Sequence, residues 1–139
     1  TQLSKFKSKL SLFDLAQVIM SIENIDDRIA HGDPEVVNMI ARNTGAINLF
    51  SFASKYCTYH NAEIYGRDDY SIYDGIVKKH LPHYSHSITE RAIENWITSI
   101  DYGSFNNSIR DILDQHGITI PFRRRKFDHF LWYPNRQNG

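Results

Sequence analysis

The stretch Ser87-Ile88-Thr89-Glu90-Arg91-Ala92-Ile93-Glu94-Asn95-Trp96-Ile97-Thr98-Ser99-Ile100-Asp101-Tyr102-Gly103 decides the fold class. Its opening Ser-x-x-Glu is a capping box, in which a hydroxyl satisfies a free helical amide and a carboxylate three residues on reaches back. Ile93, Trp96, Ile97 and Ile100 then recur at the spacing of one helix face, and Gly103 stops the run. A strand would alternate every second residue, and this segment does not.

The same grammar repeats in both directions. Ser11-Leu12-Phe13-Asp14 reads as a second capping box, opening a helix through Leu15, Ile19 and Ile22. Asp33-Pro34-Glu35 places an N-cap before a proline that costs no hydrogen bond at the first helical position. That helix carries Val36, Val37 and Ile40 toward Thr44-Gly45. A longer one runs from about Asn48 to His60, its stripe being Leu49, Phe52, Ala53, Tyr56 and Cys57. The polar segment from Asn61 to Ser71, with Gly66-Arg67-Asp68-Asp69 at its centre, reads as an exposed loop. Asp74 caps a short helix ended by Pro82, a further helix carries Phe105, Ile109, Ile112 and Leu113 to Gly117, and the last follows Pro121 with Phe127, Phe130 and Leu131. Only Ile118-Thr119-Ile120 tempts as a strand. The expectation is an all-α, compact bundle of six to seven short helices forming a single domain over residues 1–139, with Leu49, Phe52, Tyr56, Ile76, Trp96, Ile97, Ile100, Ile112 and Leu131 in one core.

Composition narrows the functional classes. The chain has 139 residues, 41% of them apolar, enough for one core and short for two domains. Sixteen basic residues balance sixteen acidic ones, so any nucleic-acid surface must be a local patch rather than a whole-molecule field. Cys57 is alone, which excludes an internal disulfide, a four-thiolate cluster and a four-cysteine zinc site. No apolar run reaches the roughly 18 residues of a membrane span, and the first residues are too polar for a secretory leader, so the expected location is the cytoplasm with no membrane partner.

The constellation that carries chemistry is Asn43-Thr44-Gly45-Ala46-Ile47-Asn48, an apolar helix, a loop, and then Ile72-Tyr73-Asp74-Gly75-Ile76-Val77. A glycine hairpin, a buried helix and an apolar-apolar-Asp helix start resemble the helix-hairpin-helix (HhH-GPD) DNA glycosylases. The resemblance covers about residues 43 to 80. It implies a DNA repair hydrolase whose hairpin amides, here at Gly45, grip a DNA phosphate, as helix N-termini can. It also implies that Asp74 is the catalytic carboxylate acting at the sugar of a flipped nucleotide. The chain departs from the family in having Gly45 alone where two glycines are usual. Ile47 and Asn48 stand where bifunctional members place a Schiff-base lysine. Lys55 falls about two turns into the helix and is given no lyase role. The resemblance therefore implies a monofunctional DNA N-glycosylase whose pocket, if incomplete in this chain, is completed by a second copy or another partner chain.

The remaining candidates rest on residue type. Tyr70 and Tyr73 flank Asp74 and could stack on a base, or belong to the core. Arg123, Arg124, Arg125 and Lys126 form the one cation cluster, either a phosphate-binding patch or a solvated face. His80, His83 and His86 recur every third residue, but Pro82 breaks their face and no metal site is expected, nor any cofactor. Asp74 itself is either the catalytic group or an ordinary N-cap. Three readings stay open: a DNA glycosylase-like enzyme, a non-catalytic nucleic-acid-binding module, and a helical protein-interaction domain.

Overall fold

The computed structural model describes residues 12–42 and 49–134. Ser11 of the first expected cap and the whole Asn43–Asn48 hairpin, Gly45 included, lie outside the described residues. The described chain is all α: α1 Leu12–Ser21, α2 Ile25–Ala30, α3 Glu35–Arg42, α4 Phe50–Tyr65, α5 Gly75–His80, a 3-10 turn Leu81–Tyr84, α6 Glu90–Thr98, α7 Tyr102–Gln115 and α8 Arg123–Trp132. No strand occurs among the described residues, so Ile118–Ile120 is an irregular connection.

Side-chain caps set the starts of α3, α5, α6 and α7. The Asp33 carboxylate accepts the Glu35 amide at 2.9 Å, Asp74 accepts that of Val77 at 2.9 Å, and Asp101 accepts that of Ser104 at 3.1 Å. For α6 the cap is Thr89, whose hydroxyl accepts the Ala92 amide at 3.0 Å, and not Ser87. The reason is upstream: Ser85 to Ile88 closes its own turn, with the Ile88 amide on the Ser85 carbonyl, so free helical amides begin only after Thr89. One helix more than expected appears because Asn24, at φ 57°, turns the chain left-handed and separates α2 from α1.

The larger departure is α4, which continues through the polar stretch to Tyr65 and stops where Gly66 takes φ 64°. Asn61 lies on its buried face and donates to the Ile29 carbonyl at 2.8 Å and to Asp69 at 2.9 Å. A residue that looked like loop polarity is a tertiary tie. The stripe of α4 is accordingly Phe50, Ala53, Ser54, Cys57, Thr58 and Asn61, with Phe52 and Tyr56 only partly covered. The segment after Gly66 is no exposed loop either: Tyr70, Ser71 and Ile72 are buried.

At the centre Phe50, Tyr70, Tyr102 and Phe105 are fully enclosed, with Phe50–Tyr102 and Tyr102–Phe105 centroids 5.8 Å apart in tilted arrangements. Ile112 and Leu131 are buried around them and Leu49 is buried, as expected, whereas Trp96, Ile97 and Ile100 only pack against the edge. A polar seam crosses this core. The Tyr102 hydroxyl donates to the Ser71 carbonyl at 2.5 Å, the Ser71 amide donates to Asn106 at 3.1 Å, and Asn106 donates to the Asp69 carbonyl at 3.0 Å. Gly32, at φ 75°, lets the chain pass there: a Cβ on it would sit 2.5 Å from Asp69 Cβ.

Candidate functional site

The seam closes on α8. Phe122, which precedes the helix at φ 56°, offers no side-chain cap, and Asp68 fills the gap from 66–74, accepting the Arg124 and Arg125 amides at 2.9 and 3.2 Å. The helix N-terminus that could have received a phosphate already holds a carboxylate of its own chain. Burial pushes Asp68 up, against the pull of those two amides.

The four-cation run separates at this point. Arg124 is largely buried, and its guanidinium donates to Ser71 at 2.7 Å and to Asn106 Oδ1 at 2.7 Å. Arg123 pairs with Asp114 at 2.7 Å and with the Ile118 carbonyl at 2.8 Å. Arg125 pairs with Glu63 at 3.0 Å and lies 5.8 Å over the Tyr59 ring. Lys126 is exposed beside the apolar groove of Ile118, Ile120 and Phe130. These residues do not form one patch.

Asp74 is an N-cap, and it also borders a cleft. One oxygen caps α5, and the cleft, of about 320 Å³, is lined as well by Lys55, Tyr59, Ile72, Asp128 and Trp132. Two helices make the walls by the same one-turn spacing: Lys55 and Tyr59 stand on α4, Asp128 and Trp132 on α8. Lys55, set aside in sequence because of its depth in the helix, comes to the same cleft as Asp74 because α4 runs past the loop that carries it.

Asp128 is the most unusual group here. One of its oxygens is sealed from solvent without a hydrogen-bond partner. Burial first, then the Asp74 charge, push its carboxyl up to about 6, while Lys55 and Arg125 pull down. Nothing in the sequence singled it out, because Asp128 among three arginines and a lysine reads as charge balance. Its flanking Phe127, buried on the same turn, was the available signal.

The two tyrosines placed beside Asp74 in sequence do not line this cleft. Tyr70 is 1% exposed with its hydroxyl on the Asp33 carbonyl at 2.7 Å, and burial raises it strongly. Tyr73 packs edge-on against Phe50 and Phe105 and is pushed up to about 12, chiefly by burial. The aromatic walls are Tyr59 and Trp132 instead, 50% and 39% exposed. Cys57 is buried, and burial raises its thiol far above the reactive range. Among the described residues no three His, Cys, Asp or Glu side chains are grouped to hold a metal, although His80 and His83 touch ring to ring at 5.6 Å. No helix among them is long and apolar enough to cross a membrane.

The family model HI_0787_N, described as an N-terminal domain, matches residues 1–64. No curated protein and no solved structure matches the chain. The matched stretch ends inside α4 and carries Lys55 and Tyr59, whereas Asp74, Asp128 and Trp132 lie beyond it. The cleft thus joins the matched and unmatched parts of the chain, as does the core through Phe50 and Tyr102.

Proposed function

We propose that the chain is a DNA glycosylase-like module that hydrolyses the N-glycosidic bond of an extruded nucleotide in the Asp74 cleft. One observation carries the reading: the capping carboxylate of Asp74 also faces an open cleft walled by Tyr59 and Trp132. A carboxylate there offsets the positive charge that develops on the sugar as the bond breaks. Exposed aromatics on two sides offer stacking surfaces for a base, worth roughly 1–3 kcal/mol each in single-strand binders. The cleft volume of about 320 Å³ is at the small end of ligand sites, which run from about 300 to 1,000 Å³.

Phosphate contacts in this reading fall to Lys126, Arg123 and Arg125. The latter two exchange exposed ion pairs, each worth only about 0–1 kcal/mol, for DNA oxygens. Arg124 is excluded by its commitments inside the fold.

The test is single-turnover base release from oligonucleotides bearing a panel of damaged bases. Asp74→Asn should lower the rate by roughly 10²–10³-fold with DNA affinity nearly unchanged, since the lost interaction belongs to the transition state. Equal activity in the variant, or no release by the wild type from any substrate, would overturn the reading. A second reading, a helical protein-interaction domain, is favoured by the apolar groove of Tyr84, Ile118, Ile120, Phe127 and Phe130. Absence of DNA binding even at low salt would leave it standing.

A further inference from the structure

Asp128 departs from what a structural carboxylate does. It sits one turn beyond the buried Arg124, borders the cleft opposite Lys55 and Tyr59, and keeps one oxygen with neither solvent nor a partner. Arg125, on its own helix, acts on it as well but is paired with Glu63 and lies over the face of Tyr59. Lys55 acts on it from α4 and Asp74 from the loop, while His129 and Trp132 complete the rim. Such an environment favours the neutral acid, because an ionised oxygen there lacks both water and a donor.

We propose that Asp128 is the proton donor of this cleft, with Asp74 as the charged partner, so that the substrate class is one whose leaving group must be protonated to depart. The inference rests on the glycosidic reading of the same site. As the sugar–nitrogen bond breaks, its electron pair goes to the leaving base, which takes the proton of Asp128. Asp74 faces the positive charge left on the sugar. A water oxygen then bonds to that carbon, and the proton it sheds returns to the Asp128 carboxylate. The two carboxyls divide the work because their surroundings differ: Asp74 spends an oxygen on the Val77 amide, while Asp128 has an oxygen with no donor to stabilise its charge.

Two measurements on the intact protein test this. With aspartate carboxyls labelled with carbon-13, the resonance lost in Asp128→Asn should titrate in wild type with a midpoint near pH 6. The midpoint should fall in Asp74→Asn, which removes a like charge, and rise in Lys55→Met, which removes the opposing one. In the base-release assay the wild-type rate should decline as pH rises above that midpoint. Asp128→Asn should lose roughly 10²–10⁴-fold and the pH-dependent limb together, with DNA affinity retained. A midpoint near the ordinary value of about 3.9 overturns the proposal whatever the activity. So does an Asp128→Asn enzyme that is active with an unchanged profile while Asp74→Asn is dead, and that outcome leaves the Asp74 reading intact. No release by wild type at any pH overturns both.

Discussion

Arg124 and Asp128 stand one turn apart on α8, carry opposite charges, and are treated in opposite ways. The guanidinium of Arg124 is buried in the polar seam, where Ser71 and Asn106 accept from it at 2.7 Å. Asp128 borders the cleft, and one of its carboxyl oxygens, sealed from solvent, has no hydrogen-bond partner. A largely buried charge that is hydrogen-bonded is a structural part, whereas a sealed oxygen left without a partner costs free energy that folding alone does not explain. The helix is thus a wall with two sides. Its first turn locks the segment 66–74 to α7, and its second places the Asp128 carboxyl in the cleft that the end of that same segment, Asp74, also borders.

The sharpest way to break the comparison is to remove the satisfied member. Arg124→Met keeps the side-chain length and apolar stem but strands the Ser71 hydroxyl and takes one donor from Asn106 Oδ1, which keeps the Ser71 amide. Unfolding in urea should show a loss of about 2–4 kcal/mol, since hydrogen bonds to a charged group contribute roughly 1.5–3 kcal/mol and the orphaned Ser71 hydroxyl adds its own cost. A loss below about 0.5 kcal/mol would mean the seam is held by Tyr102 and Asn106 alone.

The unsatisfied member should respond with the opposite sign. A folded-state carboxyl raised to about 6 binds its proton more tightly than the unfolded chain does, where the value is near 3.9. The native state therefore holds an extra proton between those values, and this contribution to stability is full below about 3.9 and lost as pH rises through about 6. Asp128→Asn has no such loss. Above pH 6 it should be more stable than wild type by on the order of 1–2 kcal/mol, a figure discounted for the solvent that reaches the cleft. The gap should close as pH falls toward 4. Thermal melts of both proteins across pH 4 to 8 check it, and a constant gap would show that Asp128 does not titrate in this window.

The same contrast explains which parts of the molecule could be read in advance. Helix periodicity and the caps at Asp33 and Asp74 are local properties, legible because a cap and its amide lie two or three residues apart. The face of α4 was misplaced because its stripe includes Ser54, Thr58 and Asn61, which polarity alone assigns to solvent. Asn61 is buried only because Ile29 and Asp69 arrive from elsewhere in the chain. Asp74 could be named as a candidate, since its motif is contiguous. Lys55, Tyr59, Asp128 and Trp132 could not, because their meeting depends on how α8 docks, and Asp68 caps that helix from sequence separations of 56 and 57 residues.

The smallest expected effect bears on Asp74, where the two kinds of residue overlap in one side chain. Its oxygen caps α5, a helix of only six residues, by accepting the Val77 amide. Asn offers the same acceptor, so Asp74→Asn should change stability by a few tenths of a kcal/mol at most, while Asp74→Ala should cost about 1 kcal/mol. Denaturant melts at pH 7.5 separate the two. If Asn costs as much as Ala, the negative charge itself is holding structure, through Lys55 across the cleft, and Asp74 joins Arg124 as a satisfied charge. If Asn is nearly neutral, the cap accounts for all that Asp74 contributes to folding. Its charge then has no structural duty, and the repulsion it exerts on Asp128 is left as the property to be explained by what the cleft does.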